Sequence, residues 1–286
     1  MPDQSLRGVL DLHVHCDPDV KARNVTDISM AQRCLESGMR GFLIKSHDWS
    51  THDRAYIASL VVPGCEVFGS LCMNLSHGDK VNPFAVSQAL KTTGNALRCV
   101  WLPTRESAYD MKRNKTGRPG IPVVDEHGHA LPEVIRTMEL CAEADIVLAS
   151  GHSSNDETVE LARAAKIVGL KKFVVTHATS DPWTISPDNI KRCFELGAYV
   201  EHSYVALIWG PGTPFPDFAP CPVQTLLEYV NICPERTFLT SDLGTAGLPF
   251  PDQAMLSFMR LLSERGVSQK HIDAMAKDIP AMLMNV

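Results

Sequence analysis

The sequence predicts an α/β protein folded as a (β/α)8 TIM barrel with a polar insertion after strand four, and three observations lead there. A short β-rich run followed by a helical pattern recurs eight times with mostly short turns, which argues for a parallel sheet with right-handed crossovers. The length, 286 residues, suits one large α/β domain spanning 1–286, and at that size the closed barrel is the natural solution. An open doubly wound sheet would carry a phosphate-cradling Gly-rich turn after its first strand, whereas this chain has His13-Val14-His15-Cys16-Asp17-Pro18 there.

The first run is 9–15, followed by a helix over about 26–37 that Thr26 opens as N-cap and Gly38 closes. The second run, 41–47, precedes a short helix near 53–60, and the third is 66–74, with a helix from Asn82-Pro83 to just before Gly94. The fourth run is 96–104. Next comes the polar insertion, 105–130, whose stretch 121–128 is patterned as a small β-hairpin. A helix from Leu131-Pro132 to Ala144 leads to the fifth run, 145–152, and Ser154 with Glu157 has the form of a capping box for a helix ending at Gly169. The sixth run is 173–179, and Ser186-Pro187 opens a helix ending at Gly197. The seventh run, 198–204, is followed by a Pro/Gly/Phe-rich loop over 209–220 and a helix at about 223–230. The eighth, 237–242, leads to a helix ending near Gly266 and a terminal helix from about Ser268.

Composition narrows the function classes. The longest apolar runs are far too short to span a bilayer, and the opening five residues have neither the basic nor the apolar region of a signal peptide. A formal charge of −6 without any Lys/Arg block argues against nucleic acid. Nine cysteines without a CxxC pair read as small buried hydrophobes, not disulfides. The expectation is a soluble, cytoplasmic protein acting on a small molecule, with no nucleic-acid or membrane partner; a homo-oligomer is left open.

The histidines are more informative. In Asp11-Leu12-His13-Val14-His15, plain alternation sets Asp11, His13 and His15 on one strand face, where two imidazoles can reach one ion and Asp11 could hold a ligand's second nitrogen. His47 ends run two, His152 run five, His177 run six, His202 run seven and Asp242 run eight. That is the end of the barrel where active sites are built.

His-x-His after strand one, His after strands five and six, and Asp after strand eight resemble the amidohydrolase superfamily. The matching stretches are Asp11–His15, Ser150-Gly151-His152, Thr176-His177-Ala178 and Thr240-Ser241-Asp242; Asp278-Ile279-Pro280-Ala281-Met282-Leu283 resembles the helix that often closes such chains. The resemblance implies a metal-dependent hydrolase in which His13, His15 and Asp242 bind one divalent metal, Zn2+ first with Mn2+ or Fe2+ as alternatives. His152 and His177 would bind a second ion, or His152 would complete a mononuclear site while His177 acts on substrate; Asp242 would be the general base. Imidazole and carboxylate donors suit these ions, and a metal lowers the pKa of its water to about 7.

The chain departs from that pattern at strand four, where many binuclear relatives carry a carbamylated lysine and this chain has none. Strand two carries Lys45 instead, sharing a face with His47, either as an electrophile for a substrate oxyanion or as a carbamate bridge. Asp-Leu-His-Val-His with Ser46-His47-Asp48 also resembles the PHP phosphoesterases, whose last motif usually continues Asp-x-His where this chain has Asp242-Leu243-Gly244. Nonoxidative decarboxylation and a non-catalytic metal-binding scaffold are further alternatives.

Around the site, Lys45, His47, His202, Tyr204 and Arg105 are the expected substrate contacts, suggesting a small polar substrate that could be anionic. Trp209, Phe215 and Phe218 could form an apolar wall, while Lys112, Arg113 and Lys115 are expected to be solvated. His52, His77, His127, His129 and His271 are treated as incidental.

Overall fold

Eight strands run parallel in chain order: β1 Leu10–Val14, β2 Gly41–Ile44, β3 Glu66–Cys72, β4 Leu97–Trp101, β5 Val147–Ala149, β6 Phe173–Val175, β7 Tyr199–Ser203 and β8 Thr237–Thr240. The chain just past β8 returns to β1, where Asp242 N–H donates to the His13 carbonyl at 2.9 Å and His15 N–H to the Leu243 carbonyl at 2.8 Å. Closure in this way leaves no free edge, and the fold is the expected (β/α)8 barrel. This computed structural model describes residues 5–286; residues 1–4, on which the signal-peptide reading partly rests, lie outside the described residues.

Each strand falls inside its predicted run but ends earlier. The last residues of each run leave the ladder and form the rim that carries the candidate site. The helices begin and end where the capping chemistry says they should. Thr26 and Ser154 make capping boxes, with Ser29 and Glu157 as their reciprocal partners, and Gly38 and Gly169 close the same helices in the left-handed conformation. Among the described residues no helix is long and apolar enough to cross a membrane.

The barrel interior is packed with side chains. Leu10, Leu43, Phe68, Trp101, Val174 and Phe238 fill it, and Leu283 and Met284 of the final helix, Ile279–Met284, close the end opposite the rim. Fully burying such a side chain contributes about 1.5–3 kcal/mol. With that end plugged, the chemistry is confined to the other.

Two local features differ from the sequence reading. In β1 both Leu10 and Leu12 face the interior, and the register shifts between Asp11 and Val14. This irregularity turns His13 and His15 into the barrel while Asp11 stays on the opposite face, accepting from the Ser241 and His13 amides. Asp11 therefore does not share the histidines' face. The insertion holds an unforeseen helix, Ala108–Arg113, capped by Ser107; in place of the hairpin expected over 121–128 there is a turn closed by one isolated antiparallel bridge between Val124 and Ala130.

Candidate metal centre

His13, His177 and Asp242 offer ligand atoms that all lie within 4.8 Å of one another at the barrel rim. His13 Nε2 is 2.9 Å from Asp242 Oδ1 but outside hydrogen-bond geometry, so this buried nitrogen has no hydrogen-bond partner. His177 Nδ1, 3.8 Å from Asp242 Oδ2, and His152 Nε2 are buried and unpartnered in the same way. The His177 ring centroid is 5.4 Å from that of His13 and 5.3 Å from that of His152. A buried polar atom left unpaired costs about 1–3 kcal/mol, and two imidazole nitrogens converging beside a carboxylate, with the unpartnered His152 ring next to His177, are a donor set a divalent ion satisfies. The residues fit such an ion.

Each of two rings is held from behind by a carboxylate. Glu201 Oε1 is 2.6 Å from His13 Nδ1 and also accepts from Ser203 and Thr240. Asp110 Oδ2 is 2.7 Å from His152 Nδ1, while Asp110 Oδ1 accepts from the Trp183 indole at 2.7 Å. Such partners fix the tautomer that turns the other nitrogen outward. Sequence reasoning missed all three residues. A glutamate in mid-strand was the available signal for Glu201, whereas Asp110 and Trp183 arrive from distant loops.

The charges at His152, His177 and Asp242 favour ligation. Burial lowers His177 to about 3 and takes His152 well below the ordinary imidazole value, leaving both neutral. Burial alone would raise Asp242, but the nearby His13 outweighs it and keeps the carboxyl well below its usual range. His13 itself is raised: burial opposes its charge, and Asp242 then Glu201 outweigh that. His177 and Asp242 both have left-handed backbones, φ +58° and +51°. For a histidine that conformation is uncommon, and its cost is tolerated where the surroundings over-determine it.

His15 stands differently. Its Nε2 lies 3.1 Å from Asp242 Oδ1, and Arg23 Nη2 donates to its Nδ1 at 3.3 Å, which puts the ring proton on Nε2. Ligation through Nε2 requires that proton to move to Nδ1 and Arg23 to turn away, toward Asp19, which it already holds at 2.6 and 2.8 Å.

Above the cluster opens a cavity of about 290 Å3. His15, His152, His177 and Asp242 form its floor, and His47, hydrogen-bonded through Nδ1 to Thr104 at 2.8 Å, lines it beside Arg105. Trp183, Trp209, Phe215 and Phe218 line it as well. Arg113 also lines the cavity, contrary to the expectation that it is solvated, because the unforeseen helix turns it inward.

Against known proteins, the model of a family of unknown function, DUF6282, matches residues 8–201. The chain belongs to the DUF6282 family. No curated protein matches the sequence. Solved structures share the fold at low identity. An amidohydrolase from Pseudomonas aeruginosa has a TM-score of 0.64 at 8% identity, covering 99% of this chain and 98% of that one. A TatD homologue from Escherichia coli gives 0.60 at 16%, covering 98% and 99%. A mutant organophosphorus hydrolase from Deinococcus radiodurans gives 0.58 at 12%, covering 97% and 93%. The fold is thus the one expected from the amidohydrolase resemblance.

The DUF6282 match takes in His13, His15, Lys45, His152, His177 and Glu201, and stops before Asp242. In this DUF6282 chain three expected substrate contacts, His202, Tyr204 and Lys45, do not line the cavity. His202 is buried on the helix side, with Nδ1 3.1 Å from Thr179 Oγ1 and its ring edge-on to Tyr229. Tyr204 packs against Phe258. Glu201 and Ser203 occupy the inward face of β7, so the alternation had been read one residue out of phase. Lys45 does point inward, but it is fully buried below the cavity, its Nζ 3.9 Å above the Trp101 ring and without a hydrogen-bond partner among the described residues. The five histidines treated as incidental lie away from the cavity.

Proposed function

We propose that this protein is a metal-dependent hydrolase that cleaves a C–N or C–O bond, as in an amide, cyclic amide or lactone, of a small polar substrate. One or two divalent ions, Zn2+ first among them, would be held by His13, His152, His177 and Asp242, with His15 joining if Arg23 releases it. The observation that carries this reading is the pair of buried, unpartnered ring nitrogens of His13 and His177 beside Asp242, with that of His152 on the adjoining ring, the His13 and His152 rings being braced by Glu201 and Asp110. An ion there would supply Lewis acidity, bringing the pKa of a coordinated water near 7.

Asp242, kept ionised at neutral pH, is the base that takes the proton of the attacking water and returns it to the leaving group. His177 remains neutral and orients the reacting group. Trp183, with its ring centroid 3.9 Å from that of His152 and 5.1 Å from that of His177, excludes solvent from one side. His47 and Arg105 line the wall from which substrate oxygens would be held. An amidohydrolase and an organophosphorus hydrolase among the structures sharing the fold support hydrolysis as the reaction class.

The phosphoesterase alternative is disfavoured by Gly244. A Cβ there would lie 1.7 Å from the His15 carbonyl oxygen, and φ is +118°, so this position has no room for the histidine of an Asp-x-His motif. The test is a panel of lactones, esters, amides and phosphoesters with zinc-loaded protein. Turnover of a carbonyl substrate, lost with chelator and restored by Zn2+, supports the proposal; turnover of phosphoesters alone overturns it.

A further inference from the structure

The walls of the cavity are chemically unlike. Among the lining residues Lys21, Arg23, Arg105 and Arg113 contribute four cations. Arg23 is neutralised by Asp19, and Arg113 Nε lies 3.8 Å from Asp110. Arg105 and Lys21 have no hydrogen bond or ion pair among the described residues, although Arg105 is half-buried. A half-buried guanidinium beside two further cations, with no carboxylate on its fork, lacks the counter-charge that normally accompanies such burial. Consistent with this, burial and then the Arg23 charge lower Arg105 from its ordinary value.

The lining also holds a cluster of aromatic rings. Trp183 meets Phe218 at 5.6 Å, Trp209 meets Phe218 at 4.9 Å, and Phe215 and Phe218 lie parallel at 5.9 Å. These rings pack on one another and still face the cavity. A wall of this kind gains from covering an apolar group and offers little to a fully hydrated one. His177 and Asp242 line the same cavity as these cations and rings.

Resting on the hydrolase reading, we infer that the substrate is a compact anion with an apolar ring: its carboxylate or similar group pairs with Arg105 and Lys21, its ring lies against Trp183, Phe215 and Phe218, and the scissile bond between them sits over Asp242. The cavity of about 290 Å3, near the lower end for small-molecule sites, has room for about one ring and one charged group.

Equilibrium binding tests this without requiring turnover, so failure here and failure of the hydrolase reading are separate results. Phenylacetate carries both features, benzamide the ring alone and acetate the charge alone. On zinc-loaded protein, phenylacetate is expected to bind about tenfold or more tighter than either of the others. Arg105→Met should weaken phenylacetate by about tenfold while leaving benzamide unchanged, with Arg105→Lys intermediate. Phe218→Ala should weaken phenylacetate and benzamide alike and leave acetate unchanged. A carboxylate that simply binds the ion is indifferent to Arg105, so the Arg105→Met comparison separates that mode, and metal content measured on the same samples shows that the variants are equally loaded. Equal affinity for phenylacetate and benzamide, or an Arg105→Met variant that binds phenylacetate as wild type does, overturns the inference.

Discussion

Glu201 Oε1 sits 2.6 Å from His13 Nδ1, a contact between β7 and β1 past the intervening β8 that fixes which nitrogen of His13 faces the rim. Glu201 is fully buried, and its carboxyl is lowered: burial alone would raise it, but His13 outweighs that. Glu201→Gln keeps the shape and removes the charge. Affinity for Zn2+ is expected to fall about 10- to 100-fold, as for other groups that orient a ligand from behind. Chelator competition measures this, and wild-type affinity would mean that His13 is oriented without Glu201.

Asp242→Asn preserves an oxygen toward the cluster and removes the basic carboxylate. Metal content should be largely retained while turnover drops by on the order of 10^2-fold or more. Metal analysis and kcat on the same preparation separate the two effects. Normal turnover would assign the proton to another residue.

Lys45 lies under the cavity, and its charge acts on His13, His152 and His177. As a cation beside the ion it opposes loading, so Lys45→Met should raise Zn2+ affinity, by about tenfold given partly screened charges. Loss of metal from this variant, with wild-type reconstitution improved by bicarbonate, would instead identify a carbamate on Lys45.

Gly244 holds the chain past β8 against β1, with φ +118° and the His15 carbonyl oxygen 1.7 Å from where a Cβ would stand. Gly244→Ala must move backbone, at a cost of about 1–3 kcal/mol for the conformation alone. Urea unfolding should show reduced stability, and zinc affinity should fall with it because His15 and Asp242 flank the disturbed segment. A variant as stable as wild type would show that this contact is readily relaxed.

Most of the rim was legible because His13, His152, His177 and Asp242 each stand at or near the end of a β-rich run, and position along a strand survives small errors in its boundaries. Facing did not carry over as well. Strands buried on both sides have no polar–apolar alternation to set their phase, so β7 was read with His202 and Tyr204 inward when Glu201 and Ser203 occupy that face. In β1 the irregularity between Asp11 and Val14 broke the plain alternation for a different reason, since nothing local in Asp-Leu-His-Val announces it. Asp110 was out of reach altogether. It bears on His152 only because a helix in the insertion folds across the rim.

His13 and Asp242 come from opposite ends of the chain and meet where β1 joins the segment after β8. During synthesis the first of them waits for more than two hundred residues before the second emerges. An ion shared by both would therefore act as a rivet across the join, and its binding free energy would add to the stability of the closed ring. Stripping the ion should accordingly loosen the join between β1 and β8 before any other, seen as faster amide hydrogen exchange at His15 and Asp242 than at the β3–β4 ladder.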